Sequence, residues 1–210
     1  MIIKNLLLCK LIHIKTSSKF LFDSYMEHFQ PELETCPICG STGNCHIHDY
    51  YGRSIIDFLS GRKQKEHLCI TRVFCESCKH AHAILPDIIV PYSGYSLFFI
   101  LFVLGEYFAG IHTIEQLSER FDISEKQFHK WLALWKSHSA QWLGMLDASV
   151  TDNAAFFRQL ILRDSYSAFS MDFIRLTARS FLQSHRNPVL TTPKNAWYRQ
   201  TVFTPDIFLF

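Results

Sequence analysis

The apolar positions follow two rhythms along the chain. From 67 to 74 the run His67-Leu68-Cys69-Ile70-Thr71-Arg72-Val73-Phe74 is rich in β-branched residues, which predicts a strand. Residues 44–51 and 81–85 read as shorter strands. Beyond residue 96 the apolar spacing changes to three and four, the period of a helix. Ser96 caps a helix over 97–109, with Gly110 in the stop position. Thr113 caps a second helix through Phe121. Ser124 starts a third, and Gln127 three residues later completes a capping-box pattern. In the tail Phe156, Phe157, Leu160 and Ile161 mark one helix. Phe169, Phe173, Leu176 and Ser180, spaced by four, three and four, mark an amphipathic helix over 166–183.

The fold class this predicts is α+β: a small β ribbon, then an α-helical domain, then a helical tail. The boundaries fall at 1–30 for an extension, 31–86 for the ribbon, 91–146 for the helical domain and 147–210 for the tail with its Pro/aromatic end. Pro86 and Pro91 bracket Asp87-Ile88-Ile89-Val90, as prolines at a junction do. Within 1–25, Met1-Ile2-Ile3 and Leu6-Leu7-Leu8 are apolar, but Lys4, Lys10, Lys15 and Lys19 interrupt them. The unbroken apolar stretch and small-residue cleavage site of a secretory signal are not there. This stretch reads either as an appended extension or as a start-site artefact, Met26 standing just before the first motif.

Composition sharpens this picture. Of 210 residues, 48% are hydrophobic and 19% charged, which is globular rather than disordered, and 19 phenylalanines can fill a substantial core. The most apolar run, Leu97 to Leu104, is eight residues long before Gly105 and Glu106. A membrane-spanning helix needs about 20, so a buried core helix is expected and no membrane. Lys and Arg number 21 against 19 Asp and Glu, a net charge of +2. That excludes a histone-like polycation and leaves nucleic-acid binding to local patches.

Seven cysteines, at 9, 36, 39, 45, 69, 75 and 78, are an odd number clustered in one segment without a secretory signal. A reducing, cytoplasmic setting with a metal site fits better than a disulfide framework. Cys36-Pro37-Ile38-Cys39-Gly40 and Cys75-Glu76-Ser77-Cys78 form two C-x2-C pairs with 35 residues between them. Two residues between thiolates let one tight turn aim both sulfurs at one ion, and two such turns supply the four-sulfur cage of a structural zinc site. One structural Zn2+ on Cys36, Cys39, Cys75 and Cys78 is therefore expected, in a zinc ribbon. Four thiols without metal and a redox dithiol are the alternatives, the latter without the βαβ context it needs. Cys45, His46, His48, Cys69, His80 and His82 crowd the same segment, and any of them could replace a ligand or feed a second site. Cys69 reads as a strand residue, and His46 and His48, two apart, share one strand face. With four thiolates available, no open catalytic position is implied.

From Thr113 to Leu132 a more specific arrangement emerges. Ile114, Leu117 and Phe121 share one helix face, Ile123 sits in a short turn, and Phe128, Trp131, Leu132 and Trp135 line the next helix. Two helices joined this way are the helix-turn-helix arrangement, whose second helix presents its N-terminal half to the major groove. Here that half offers Lys126, Gln127, His129 and Lys130. An ordinary αα-hairpin has the same periodicity; the polar stripe favours DNA. Glu115, Glu119, Asp122 and Glu125 balance the four cations from Arg120 to Lys136, so affinity would fall steeply with salt.

CPICGSTGNCHIHDYYGRSI, LCITRVFCESCKHAHAILP and IEQLSERFDISEKQFHKWL, together spanning about residues 36–136, resemble the N-terminal part of bacterial insertion-sequence transposases. They are similar also to an uncharacterised bacterial domain of unknown function. The resemblance implies zinc ligation by Cys36, Cys39, Cys75 and Cys78, and a recognition helix carrying Lys126, Gln127, His129 and Lys130. Lys79 departs from it, standing where many ribbons have glycine. Transposases of this type resemble an acidic-triad nuclease, but after Trp142 the only acids are Asp147, Asp152, Asp164, Asp172 and Asp206. The helix-like tail does not supply the sheet such a site needs, so no catalysis is expected. Seven basic residues against four acidic ones from Asp152 onward give the tail either a phosphate-facing or a merely solvated face.

The function expected is a zinc-dependent fold that binds double-stranded DNA, associated with a transposable element and without a small-molecule substrate. The alternatives are a protein-interaction module, partnering a separately encoded recombinase or transposase, and a truncated transposase fragment.

Overall fold

The computed structural model describes residues 1–4, 11, 15–60, 62–143, 152–162, 166–177 and 179–184. In chain order the elements are β1 (Ile2–Lys4), α1 (Ser18–Met26), a 3-10 turn (Pro31–Leu33), β2 (Cys45–Leu59), β3 (Arg62–Cys75), β4 (His80–Pro86), α2 (Leu97–Phe108), α3 (Ile114–Phe121), α4 (Glu125–Leu143), α5 (Asn153–Leu162) and α6 (Tyr166–Thr177). The four strands form one sheet in the order β1-β4-β3-β2. β1 runs parallel to β4, while β4, β3 and β2 pair antiparallel. The architecture is thus mixed α+β. Among the described residues no helix is long and apolar enough to cross a membrane.

β2 and β3 pair from Cys45 opposite Cys75 to Leu59 opposite Arg62, with an irregularity between Ile47 and Asp49 that leaves His48 as an extra residue. Strands over 44–51 and 67–74 were expected; the hairpin runs on through 52–66. Its polar half, Arg62 to Glu66, carries little strand propensity of its own. It is held because β2 opposite is packed: Ile55 is 1% exposed and Asp57 is fully buried. Phe58 stacks on Phe102 of α2 with ring centroids 3.8 Å apart, and meets Phe121 of α3 edge-on.

The helix starts behave as their sequences predict. Ser96 Oγ accepts the Phe99 N–H at 3.1 Å and caps α2, and Gly110 takes φ +68° beyond its end. Thr113 and Gln116 form a reciprocal capping box at α3. At the start of α4 Ser124 Oγ accepts the Gln127 N–H at 3.2 Å, which is one half of the capping box expected there. Gly105 permits a close crossing of α2 and α5, since a Cβ there would lie 2.8 Å from Phe157 Cζ.

The main buried cluster runs from Ile3 to Leu182 and takes in residues from all four segments that the sequence separates. Ile3 and Phe22, from the stretch set apart as an extension, belong to it. Trp135 is fully buried against Phe108, Phe156, Phe157 and Phe181. In the tail one expectation fails. The helix foreseen over 166–183 ends at Thr177; Leu176 is 53% exposed, and the chain turns back so that Phe181 and Leu182 enter the core. Leu182 takes a left-handed φ of +61° and donates its N–H to His138 Nδ1 at 3.0 Å. Burying two large side chains outweighs one more helical turn on an exposed face. Residues 185–210, including the aromatic end, lie outside the described residues, as do Arg163, Arg186, Lys194 and Arg199.

Asp57 ties strand to helices. One carboxylate oxygen accepts the Ser18 N–H at 2.6 Å; the other accepts the Phe58 N–H at 2.9 Å and the Ser96 hydroxyl. The charge therefore sits at the N-termini of both α1 and α2, where helix dipoles favour it. Asp57→Ala strands these donors in a closed core and is expected to cost about 3 kcal/mol, read from urea unfolding.

His138 is 1% exposed, and burial, followed by the nearby Arg179 charge, lowers its pKa to about 4. Its folded pKa lies below the ordinary value near 6.5, so protons bind preferentially to the unfolded chain. The stability it contributes is complete above that ordinary value and drains away as pH falls toward about 4. Urea unfolding of wild type and His138→Gln at a series of pH values over this window should show a steeper decline for wild type.

Candidate functional site

Cys36 and Cys39 lie on a turn closed by the Gly40 N–H to the Cys36 carbonyl at 2.9 Å, with Gly40 at φ +72°. Cys75 ends β3, and the second turn, leading into β4, is closed by the Lys79 N–H to the Cys75 carbonyl at 2.8 Å. Lys79, where many ribbons have glycine, takes the same left-handed conformation at φ +59°. This costs an L-residue about 1–2 kcal/mol. Its ammonium pairs with Glu76 and lies 5.9 Å from the centre of the Phe74 ring, and the turn keeps its shape. The bridge between Thr35 and Thr42 closes the base of the first turn, and the Ser77 to Ser41 hydroxyl bond at 3.0 Å docks the second turn on it.

The four sulfurs converge. Cys36 and Cys78 Sγ are 3.5 Å apart, Cys39 and Cys75 Sγ 3.7 Å, and all four lie within 4.8 Å of one another. A tetrahedral cage with metal–sulfur bonds of about 2.3 Å has edges of roughly 3.8 Å, whereas a disulfide needs about 2.05 Å. The spacing fits a shared ion, so the group can hold a metal. Cys36 and Cys75 are fully buried, Cys39 is exposed and Cys78 is half-buried. Burial raises the Cys36 thiol, and burial followed by the hydrogen bond that the Cys78 thiol donates to Cys36 pushes Cys78 up to about 12. Burial also opposes ionisation of Cys75, but the backbone N–H groups of Cys78 and Ser77 outweigh it and bring Cys75 down to about 6. Thiols this close resist joint ionisation; a central cation supplies the charge that lets all four become ligands. Four such ligands leave no open position for a substrate.

Of the surrounding residues whose roles the sequence left open, His82 contacts a sulfur of the group. It is 2% exposed on β4, with Nε2 3.3 Å from Cys36 Sγ. A histidine there orients the sulfur ligand from outside the cage; its only signal in the chain is alternation with His80. Cys45, opposite Cys75 in the hairpin, is buried, and burial with the adjacent sulfurs pushes it up to about 12, so it packs as a neutral thiol. Cys69 is exposed on β3, as a strand residue. His46 and His48 are exposed and both lie against Phe74, at centroid distances of 5.6 and 5.5 Å, on one face as their spacing requires. His80 Nδ1 contacts the Cys78 carbonyl at 2.7 Å. Glu34, 4% exposed, is matched by Lys4 of β1.

The second candidate surface lies beside the opposite end of β3. α3 and α4 are joined by Asp122, left-handed at φ +48°, then Ile123 and Ser124. Ile123 is 6% exposed, and Phe128, Trp131, Leu132 and Trp135 are buried as the pattern predicts. Lys126, His129 and Lys130 are exposed on the first turns of α4, and Gln127 is half-buried. Lys63 of β3 holds this turn: its Nζ donates to the carbonyls of Phe121 at 3.0 Å and Asp122 at 3.2 Å, and to Asp122 Oδ2 at 2.8 Å. A cation at the C-terminal carbonyls of α3 is favourable for the helix dipole. Twelve residues of β3 separate Lys63 from Cys75, roughly 40 Å of strand. The structure does not bring the cysteines and the α4 residues together.

The model of a family described as Domain of unknown function (DUF6431) matches residues 36–126, or 91 of the chain's 210 residues. The matched stretch begins on the first cysteine of the sulfur group and ends in the first turn of α4. It supports the likeness to an uncharacterised domain of unknown function and carries no reference to transposases. No curated protein and no solved structure matches the chain.

The chain is expected to bind one thiophilic divalent cation. Titration with Co2+, followed by its thiolate charge-transfer absorption, should saturate at one equivalent. Cys75→Ser should abolish that end point.

Proposed function

We propose that this chain is a zinc-stabilised DNA-binding protein. Cys36, Cys39, Cys75 and Cys78 hold one structural Zn2+, and α3 with α4 acts as a helix-turn-helix on duplex DNA. Tetrahedral four-sulfur donor sets suit zinc, and such an ion contributes on the order of 10 kcal/mol to folding in comparable small sites. That free energy holds together the strand ends farthest from the main core.

The observation that carries the DNA reading is the exposure of Lys126, His129 and Lys130 on the N-terminal turns of α4, while Phe128 among them and Trp131 just after them are buried. A helix packed this way keeps one polar face for a groove. Gln127 and the lysines have the chemistry for adenine edges, guanine edges and phosphates. No chemical step is assigned to the protein, and its association with a transposable element rests on the sequence resemblance.

A second reading is favoured by a different surface. On β2, Ile47, Tyr50 and Tyr51 are exposed along the edge of the sheet. A protein partner such as a separately encoded recombinase would pair there.

Lys126→Ala/Lys130→Ala is expected to weaken binding of a labelled mixed-sequence duplex several-fold without changing metal content. Absence of duplex binding by the wild-type chain at low salt, or equal binding by the variant, overturns the DNA reading in favour of the protein partner. Fluorescence anisotropy provides the measurement.

A further inference from the structure

The hairpin end that clamps the α3–α4 turn carries cations that the fold leaves uncommitted. Among the described residues several cations have an acidic partner close by: Lys4 with Glu34, Lys19 with Asp23, Arg72 with Asp49, Lys79 with Glu76, Arg120 with Glu106 and Arg175 with Asp172. Lys63 is matched by Asp122. Arg62 and Lys65, in contrast, are exposed and join no ion pair among the described residues, and the same holds for Lys126 and Lys130 on α4.

Register brings these two pairs into one neighbourhood. Lys65 is two residues from Lys63 and so shares its face of β3; it stands opposite Ile56. Ile56 bridges to Tyr95, whose ring meets Trp131 of α4 edge-on at a centroid distance of 4.8 Å. Arg62 lies at the end of the hairpin, opposite Leu59. The acid that would repel phosphate most strongly at this junction, Asp122, is neutralised by Lys63. Arg62, at the tip, shares the other face of β3 with Glu66, so the two cations flank the hairpin end from its two faces, and Glu125 precedes Lys126.

We propose that the end of the β2–β3 hairpin is a second contact surface for duplex DNA, with Arg62 and Lys65 on the phosphate backbone while α4 lies in the groove. This inference rests on the DNA-binding reading of α4 and adds to it the element that fixes orientation on the duplex. Phosphate contacts position a protein on DNA, and base contacts from the helix specify the site. Because Lys63 ties the hairpin to the α3–α4 turn, both surfaces meet the duplex as one rigid unit, without the entropic cost of ordering a separate arm.

The test compares the full-length, metal-loaded wild type with Arg62→Ala/Lys65→Ala, Arg62→Glu/Lys65→Glu and Lys126→Ala/Lys130→Ala. The probe is a fluorescently labelled, mixed-sequence duplex titrated between about 50 and about 200 mM salt. Both hairpin variants are expected to keep the wild-type metal content and melting temperature, since both side chains are exposed and join no ion pair among the described residues. The alanine variant should bind several-fold more weakly at the low-salt end, and the slope of log affinity against log salt should be shallower by about 1–2. The glutamate variant should bind more weakly still. If both hairpin variants match wild type in affinity and slope while Lys126→Ala/Lys130→Ala is impaired, the hairpin proposal falls and the α4 reading stands. If the α4 variant also matches wild type, or wild type itself does not bind, both fall.

Discussion

The pairing of β2 with β3 is the constraint on which the remaining structure depends. Fourteen residues of β3 run from the α3–α4 turn to the cysteine cluster, and the hairpin therefore sets the distance between the two candidate surfaces. At one end the ladder brings Cys75 into line with Cys45 and delivers the second cysteine turn to the first. At the other it places Lys63 under the last carbonyls of α3. Next to that end, Asp57 receives donors from the starts of α1 and α2. A long two-stranded ribbon is marginal alone; here it is covered by helices at one end and closed by four sulfurs at the other.

That division of labour makes the cysteine end the place where a bound metal would matter most. The main core is rich in aromatic side chains, with Trp135, Phe156, Phe169, Phe173 and Phe181 in mutual contact. The cluster around Cys36, Cys45 and Cys75 is much smaller, with Ile2, Val73 and Ile84 as its other buried members. Apolar burial of that size does not overcome the chain entropy of two turns and three strand ends. An ion held by the four thiolates, as proposed, would make up the difference.

Much of this was legible in the chain. The two C-x2-C pairs named the four sulfurs because a turn with two residues between ligands is a local geometry. The start of α2, the limits of α3 and the buried stripe of α4 were legible for the same reason: caps and helical periodicity are written within a few residues. Lys79 was correctly marked as an oddity, and its left-handed backbone shows that turn closure overrides the preference of its side chain. The exposed Lys126, His129 and Lys130 followed from the buried positions around them.

What the chain alone determined is thus local: which residues can turn, cap, pack on one helix face or offer a sulfur. What only the tertiary structure decided is which distant groups meet. The hairpin through 52–66 had no pattern of its own because cover from α2 and α3 stabilises it, and the roles of Lys63, His82 and Asp57 depend on partners 59, 46 and 39 residues away. The end of α6 likewise followed from Phe181 and Leu182 finding room beside Trp135 and His138. Such contacts form only after the chain has closed long loops, and their energies come from burial and matched charge at sites that no window of neighbouring residues contains.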